Sequence, residues 1–186
     1  MPQRLGEYRD RVIVQSRTET RDQAGEPIIG WSQFGVRWMK RRMLNGSERD
    51  TANVTRTAES THEFRTHFVR GVESRMRLLY PGAVAKLAAA VTSATATALT
   101  VDSASGFPTR GSYRLRVASE LMEVTAGQGT TAWTVTRGVD GTTAATAYAT
   151  GQTVQHMQPF DVESTDVDWM HGAELVLRGR LSDGLA

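Results

Sequence analysis

Thr61–Tyr80 reads THEFRTHFVRGVESRMRLLY, and its alternation is that of β-structure. Phe64, Thr66 and Phe68 fall on one face of a first strand, with Glu63, Arg65 and His67 on the other. In a second strand Met76, Leu78 and Tyr80 share a face, and Arg75 and Arg77 lie opposite. A period of two, β-forming residues and Gly71 between the runs predict two strands folded on each other as a half-buried hairpin. The composition then changes at Pro81-Gly82. An Ala/Thr/Gly-rich style occupies the chain to about Gln158, after which Phe160-Asp161-Val162-Glu163 resumes the first style. The simplest organisation is a discontinuous β-domain, residues 1–82 plus 158–186, interrupted by an inserted small all-β domain at 83–157.

Upstream, Arg11–Arg17 is the first convincing strand, with Val12 and Val14 on one face and Ile13 on the other. Thr18–Pro27 is rich in turn formers. Ile28–Phe34 predicts a second strand carrying Trp31, and Val36 and Trp38 share a face in the run that follows. Gly46–Ser60, GSERDTANVTRTAES, has almost no apolar anchor. It predicts a long exposed loop, the kind of segment that often carries function.

Within the inserted stretch, short strands are expected at Ala98–Val101, Tyr113–Val117, Leu121–Thr125, Trp133–Thr136 and Thr153–His156. Their regular spacing suggests a small all-β unit. Phe160–Glu163 and Glu174–Leu181 complete the outer domain, with STDVDWMHG as the turn between them.

Composition narrows the function classes. The 186 residues include no cysteine, so disulfide frameworks and Cys-based zinc sites are excluded. No window approaches a membrane span of about 18 apolar residues, and Met1–Asp10 has no signal-peptide character. Net charge is +2, so bulk electrostatics demand no anionic partner. Of the 22 basic residues only Lys40 and Lys86 are lysine. Arginine suits bidentate pairing between packed surfaces, although a GC-rich genome would give the same bias.

Apparent catalytic motifs fail on spacing. His62-Glu63…His67 lacks the i, i+4 helical separation of a metalloprotease, and an odd separation on a strand sends the two imidazoles to opposite faces. Gly127-Gln128-Gly129 mimics a dinucleotide fingerprint but opens the Trp133–Thr136 strand rather than a helix, so it reads as a hairpin turn. Asp161, Glu163, Asp166 and Asp168 with His171 could hold a hard cation or do acid–base work. The alternative is a solvated strand and turn, with Asp161 and Glu163 outward and Phe160 and Val162 inward. No nucleophile–base pair survives, and an enzyme is not expected.

Arg37, Lys40, Arg41, Arg42 and Arg49 form the densest basic run. Two readings stay open: phosphate contact with DNA, or pairing with acidic loops of a neighbouring subunit. Trp31 and Trp38 are expected in the core or at an interface.

Taken in order, the outer pieces resemble the head-tail adaptor, or head-completion (stopper), family of long-tailed bacteriophages. The features are Leu5-Gly6, the RVIVQ strand at Arg11–Gln15, Asp22…Gly25…Trp31, Val36 with Trp38, and Leu44-Asn45-Gly46-Ser47-Glu48. They continue through Met76–Tyr80, Phe160–Glu163 and Glu174–Leu177. These pieces make roughly 110 residues, one ordinary domain's worth. The departure is the insertion after the expected glycine turn, which looks like a small β-module of phage tail and neck proteins, through FPTRGSYRLRV and WTVTRGVDGTT.

The resemblance implies an all-β fold with a small β-barrel, assembled as a ring of an expected twelve copies in the virion neck after assembly in the host cytoplasm. Its implied partners are itself, the portal or adaptor on the head side, and the tail terminator or tail tube on the other. Packaged double-stranded DNA would lie in the lumen, with no cofactor, metal or membrane involved. It also implies that the loop bearing Asn45, Gly46, Ser47, Glu48, Arg49, Asp50, Thr51, Asn53, Thr55 and Arg56 faces the lumen as a gate. Asp161 and Glu163 are then candidates to meet a neighbouring copy's Arg75 or Arg77. Tail-terminator or tail-tube membership, and a DNA-binding β-module using Arg37–Arg49, are the alternatives.

Overall fold

The computed structural model describes residues 8–44, 62–169 and 173–182. Ten strands form one antiparallel sheet, and there is no helix among the described residues. In chain order they are β1 (Asp10–Arg21), β2 (Pro27–Met43), β3 (His62–His67), β4 (Arg77–Lys86) and β5 (Ala98–Thr100). They continue with β6 (Tyr113–Val117), β7 (Glu120–Ala126), β8 (Ala132–Thr136), β9 (Thr153–Asp168) and β10 (Glu174–Leu181).

Pairing runs β10-β3-β2-β1-β4-β9 and returns to its start, because the second half of β9 pairs with β10. All six strands send side chains into one core. It includes Val12, Val14, Met39, Phe64, Leu78, Tyr80, Phe160, Val162, Leu175 and Leu177. Phe64 and Phe160 meet edge to face with ring centroids 5.0 Å apart, a favourable aromatic arrangement.

A second succession runs β4-β9-β6-β7-β8-β5. An antiparallel bridge from Leu87 to Val101 joins the chain just after β4 to the chain just after β5. Its core holds Ala85, Leu99, Leu115, Val117, Met122, Val124, Trp133, Val135 and Val154. The β4–β9 ladder therefore belongs to both runs. Ile13, Leu79, Leu121 and Met157 form a small third cluster between them.

The strands of Thr61–Tyr80 form as expected, but they do not pair with each other. β3 lies between β2 and β10, whereas β4 lies between β1 and β9. Each edge found a longer partner elsewhere, so the Gly71 turn is a crossover and not a hairpin tip. The expected faces hold: Leu78 and Tyr80 enter the first core with Met76 packed against it.

Pro81-Gly82 is likewise not a turn. β4 runs straight through it, with a register shift between Pro81 and Val84. Gly82 and Ala83 together oppose His156, a β-bulge that adds one residue. The inward set of β4 thereby switches from Leu78 and Tyr80 to Ala85 and Leu87, while β9 keeps Val154, Phe160 and Val162 inward. Without the extra residue the slip would turn the apolar side of β4 outward. Gly82 has a second reason to be there: a Cβ would lie 3.0 Å from His156 Nδ1.

Three further boundaries move. β9 is continuous across Gln158 and takes in Ser164–Asp168, which was expected to be turn. β1 extends through Thr18–Arg21, leaving Asp22–Glu26 as the turn. There the Asp22 carboxylate accepts the Ala24 and Glu26 amides. The two expected runs of β2 are one strand, with an irregularity opposite Val14/Gln15.

Candidate assembly surfaces

Arg77 leaves the β4 backbone on the face opposite Leu78, and the structure buries it. Its Nε donates to Gln15 Oε1 at 2.9 Å, and its Nη2 lies 3.0 Å from Asp140 Oδ2. The guanidinium stacks over Trp31 at 4.3 Å from the ring centroid. Asp140 also accepts from Arg114 Nε at 2.9 Å and Nη2 at 3.3 Å. Arg114 Nη1 lies 2.9 Å from Glu123, close enough for an ion pair but off the hydrogen-bond line. Burial pushes the Arg77 guanidinium below its ordinary range, and the Asp140 charge opposes that. Arg77 is thus an internal clamp residue and cannot meet a neighbouring copy's carboxylate. Arg75 is exposed, at φ 75°, with its amide donated to Val162.

Strand geometry divides the basic run. Arg37 pairs in register with Val12, and Arg41 with Phe64, so both lie on the face that carries Met39. Arg41 closes that core, its guanidinium 4.2 Å from the Tyr80 ring centroid and 5.9 Å from that of Phe160. Lys40 and Arg42 take the opposite face. There Lys40 Nζ lies 3.5 Å from Glu174. One contiguous cationic patch is not what these positions make. Arg49 and the whole expected lumen loop, Asn45–Arg56, lie outside the described residues, as does His171.

Glu174 is buried at the start of β10, where Tyr8 donates to it and Arg65 Nη1 lies 3.2 Å away. Burial opposes its ionisation, but the hydrogen bonds from Tyr8 and Arg65 hold the carboxyl below the ordinary range. Arg65 also pairs with Glu63 at 2.6 Å and Asp168 at 3.6 Å. His62 is buried against Phe160, while the His67 ring lies tilted beside that of Tyr8, so the two imidazoles do diverge. Asp161, Glu163 and Asp166 are exposed, with Phe160 and Val162 inward. Trp38 is not core: 57% of its surface is exposed.

The Gly127 turn joins β7 to β8 as expected. Gly127 has φ 84°, and a Cβ there would sit 2.1 Å from the Ala132 carbonyl oxygen, so only glycine fits.

Three features had no sequence signal. The first is the Arg77–Asp140–Arg114 clamp. The second is Glu120, buried on β7 and accepting from Arg137 Nε and Nη2, Tyr148 Oη and the Gly138 and Ala145 amides. The third is a groove of about 430 Å³ lined by Arg9, Asp10, Arg11, Trp38, Pro81, Gly82, Arg116 and Gln155. It sits where the two strand runs meet.

Residues 4–84 match the family model of phage head completion proteins. Over that stretch the chain is similar to phage head completion proteins. At this level the similarity points to a structural role in a phage particle, among other head or tail proteins. The match takes in β1–β3 and most of β4, ending beside the bulge that passes the chain from one core to the other. Residues 158–186 of the resemblance lie beyond it. No curated protein matches the chain.

Proposed function

We propose that this chain is a head completion protein that acts in the virion neck, as a ring between portal or adaptor and tail. The ring completes the head, closes the DNA channel and offers the tail its docking surface. The observation that carries this reading is the family match over residues 4–84, whose strands supply β1–β4 of the closed β10-β3-β2-β1-β4-β9 run. Such a run is what a small barrel wall needs, since closure removes the sheet edges that would otherwise aggregate. On this reading residues 83–157 are an insertion carried on β4 and β9, and the polar segment 45–56 is the gate facing packaged DNA. Twelve copies are expected. The exposed carboxylates Asp161 and Glu163 stay available to a neighbour, with Arg75 rather than Arg77 as a cation that could meet them.

The test is electron microscopy of particles made without this gene. Emptied heads beside separate, complete tails are expected. Filled heads with absent or overlong tails would move the protein to the tail and end the gate hypothesis. Shortening residues 46–60 should release DNA from otherwise complete particles, and unchanged DNA retention would count against the gate alone.

A further inference from the structure

The β1–β2 ribbon outgrows the sheet that supports it. β4 pairs with β1 only at Ile13–Gln15, and β3 pairs with β2 only at Lys40–Met43. Beyond Ser16 and Ser32, which share a hydroxyl contact of 3.0 Å, no third described strand flanks the ribbon. Every residue from Arg17 to Ile29 is exposed. At about 3.4 Å per residue, Arg17–Arg21 projects roughly 17 Å. A lone two-stranded ribbon is marginal in water. This one also carries Ile28 and Ile29 on opposite faces, 52% and 51% exposed. Its end, Asp22–Glu26, holds two carboxylates and no cation, while Glu19 is paired with Arg17 at 2.8 Å.

The groove where the two strand runs meet has the complementary character. Arg11 and Arg116 line it together with a single acid, Asp10, whose carboxylate already accepts the Tyr80 hydroxyl. Trp38 borders it, and Val84, which faces Gln155 across the β4–β9 ladder, flanks it; each is 57% exposed. Arg116 Nη2 donates to Gln155. Burial and the adjacent Arg11 charge push its guanidinium below the ordinary range, a like-charge pairing that an incoming carboxylate would relieve. Arginine with exposed tryptophan is also the composition of interface hot spots.

We propose that the β1–β2 arm of one copy of this chain docks into the Arg11–Trp38–Arg116 groove of a second copy, with Asp22 or Glu26 meeting the arginines and Ile28 or Ile29 packing on Trp38 and Val84. Arm and groove are different patches, so the contact is head-to-tail and propagates into a ring or an open filament. The inference rests on the ring reading above for its closure, but not for its contact.

The absence of cysteine from the sequence makes the test clean. The full chain carrying both Ile28→Cys and Val84→Cys is treated with a short bis-maleimide, in particles and as concentrated purified protein. A ladder of covalent oligomers is expected from the double variant, and none from either single variant. Adding Arg11→Glu should cut the laddered fraction about tenfold, the scale of one charge-assisted contact, and Glu26→Arg on top should restore it. No ladder in either sample, or self-linking of the Ile28→Cys single variant, overturns the proposal. So does an Arg11→Glu variant that loses binding to duplex DNA while its ladder is undiminished, which would give the groove to phosphate. Neck rings without the ladder would sink the arm contact and leave the neck reading standing. A ladder in an assembly away from the neck would do the reverse.

Discussion

Asp140 Oδ2 lies 3.0 Å from Arg77 Nη2, so a carboxylate in the β8–β9 connection holds a guanidinium rooted in β4. Asp140 is the shared counter-ion of Arg77 and Arg114, both buried. A Cβ added at Gly141 beside it would lie 3.6 Å from Ser32 Cα and 3.7 Å from the Trp31 carbonyl oxygen of β2. The loop therefore ties the second strand run to the first.

Replacing Asp140 with alanine should leave two close guanidiniums uncompensated. A loss of about 3–5 kcal/mol is expected from breaking a buried ion pair by removing one partner. Thermal or urea unfolding of the Asp140→Ala and Arg77→Met variants measures it. A loss below about 1 kcal/mol would mean that water already reaches these guanidiniums and that the clamp is ornamental.

His156 gives a pH dependence of defined sign. It is buried against Phe107 and Tyr113, and burial lowers its pKa from 6.5 to about 4. The unfolded chain binds this proton more readily than the folded one. Stability from the neutral ring is therefore complete above about pH 6.5, falls as pH drops towards 4, and is flat below. The shift corresponds to about 3 kcal/mol. His156→Phe should flatten the unfolding free energy across that window. An unchanged pH slope would show that other groups, Glu120 first among them, set the acid limit.

Legibility followed period and failed on partnership. The inward and outward sets of β1, β4 and β9 could be read from alternation, and Val12, Val14, Leu78, Phe160 and Val162 are all core. Strand positions in 98–156 were legible for the same reason. Pairing was not, because a turn residue such as Gly71 signals a change of direction without saying which strand lies beside which. Nor does a proline-glycine pair distinguish a turn from a bulge; the difference at Pro81-Gly82 lies in His156, far along the chain. Buried charge was the other blind spot. Arg77 alternates correctly as a non-core residue, yet the face it occupies is covered by a loop from more than sixty positions away in sequence.

The basic run offers a sharper comparison. Arg41 and Arg42 are both exposed, but Arg41 stacks on Tyr80 at the rim of the first core, whereas Arg42 lies on the opposite face. Arg41→Ala should cost about 0.5–2 kcal/mol in unfolding free energy through lost cation–π contact and packing. Arg42→Ala should stay within about 0.5 kcal/mol. Equal effects would contradict the split of the run across two faces. The same pair reports on DNA: a true phosphate ligand lowers the salt slope of binding by about one when removed.

Glu120 is the hub of the second strand run. Burial works against its charge, but hydrogen bonds from Arg137, the Ala145 amide and Tyr148 hold its carboxyl below the ordinary range. A folded pKa below the unfolded one means that this contribution is present above the unfolded value and is lost as pH falls through the folded value. Glu120→Gln keeps the shape but removes the charge opposite Arg137 and forces an amide NH2 group towards at least one donor. The loop from Gly138 to Ala145, which also carries Asp140, should then open locally before the sheet melts. Amide exchange in that loop should accelerate about tenfold or more, while the β1, β4 and β9 amides of the first core keep their protection. If both regions lose protection together, the two strand runs unfold as one unit. Glu120 would then stabilise the whole sheet rather than its own loop.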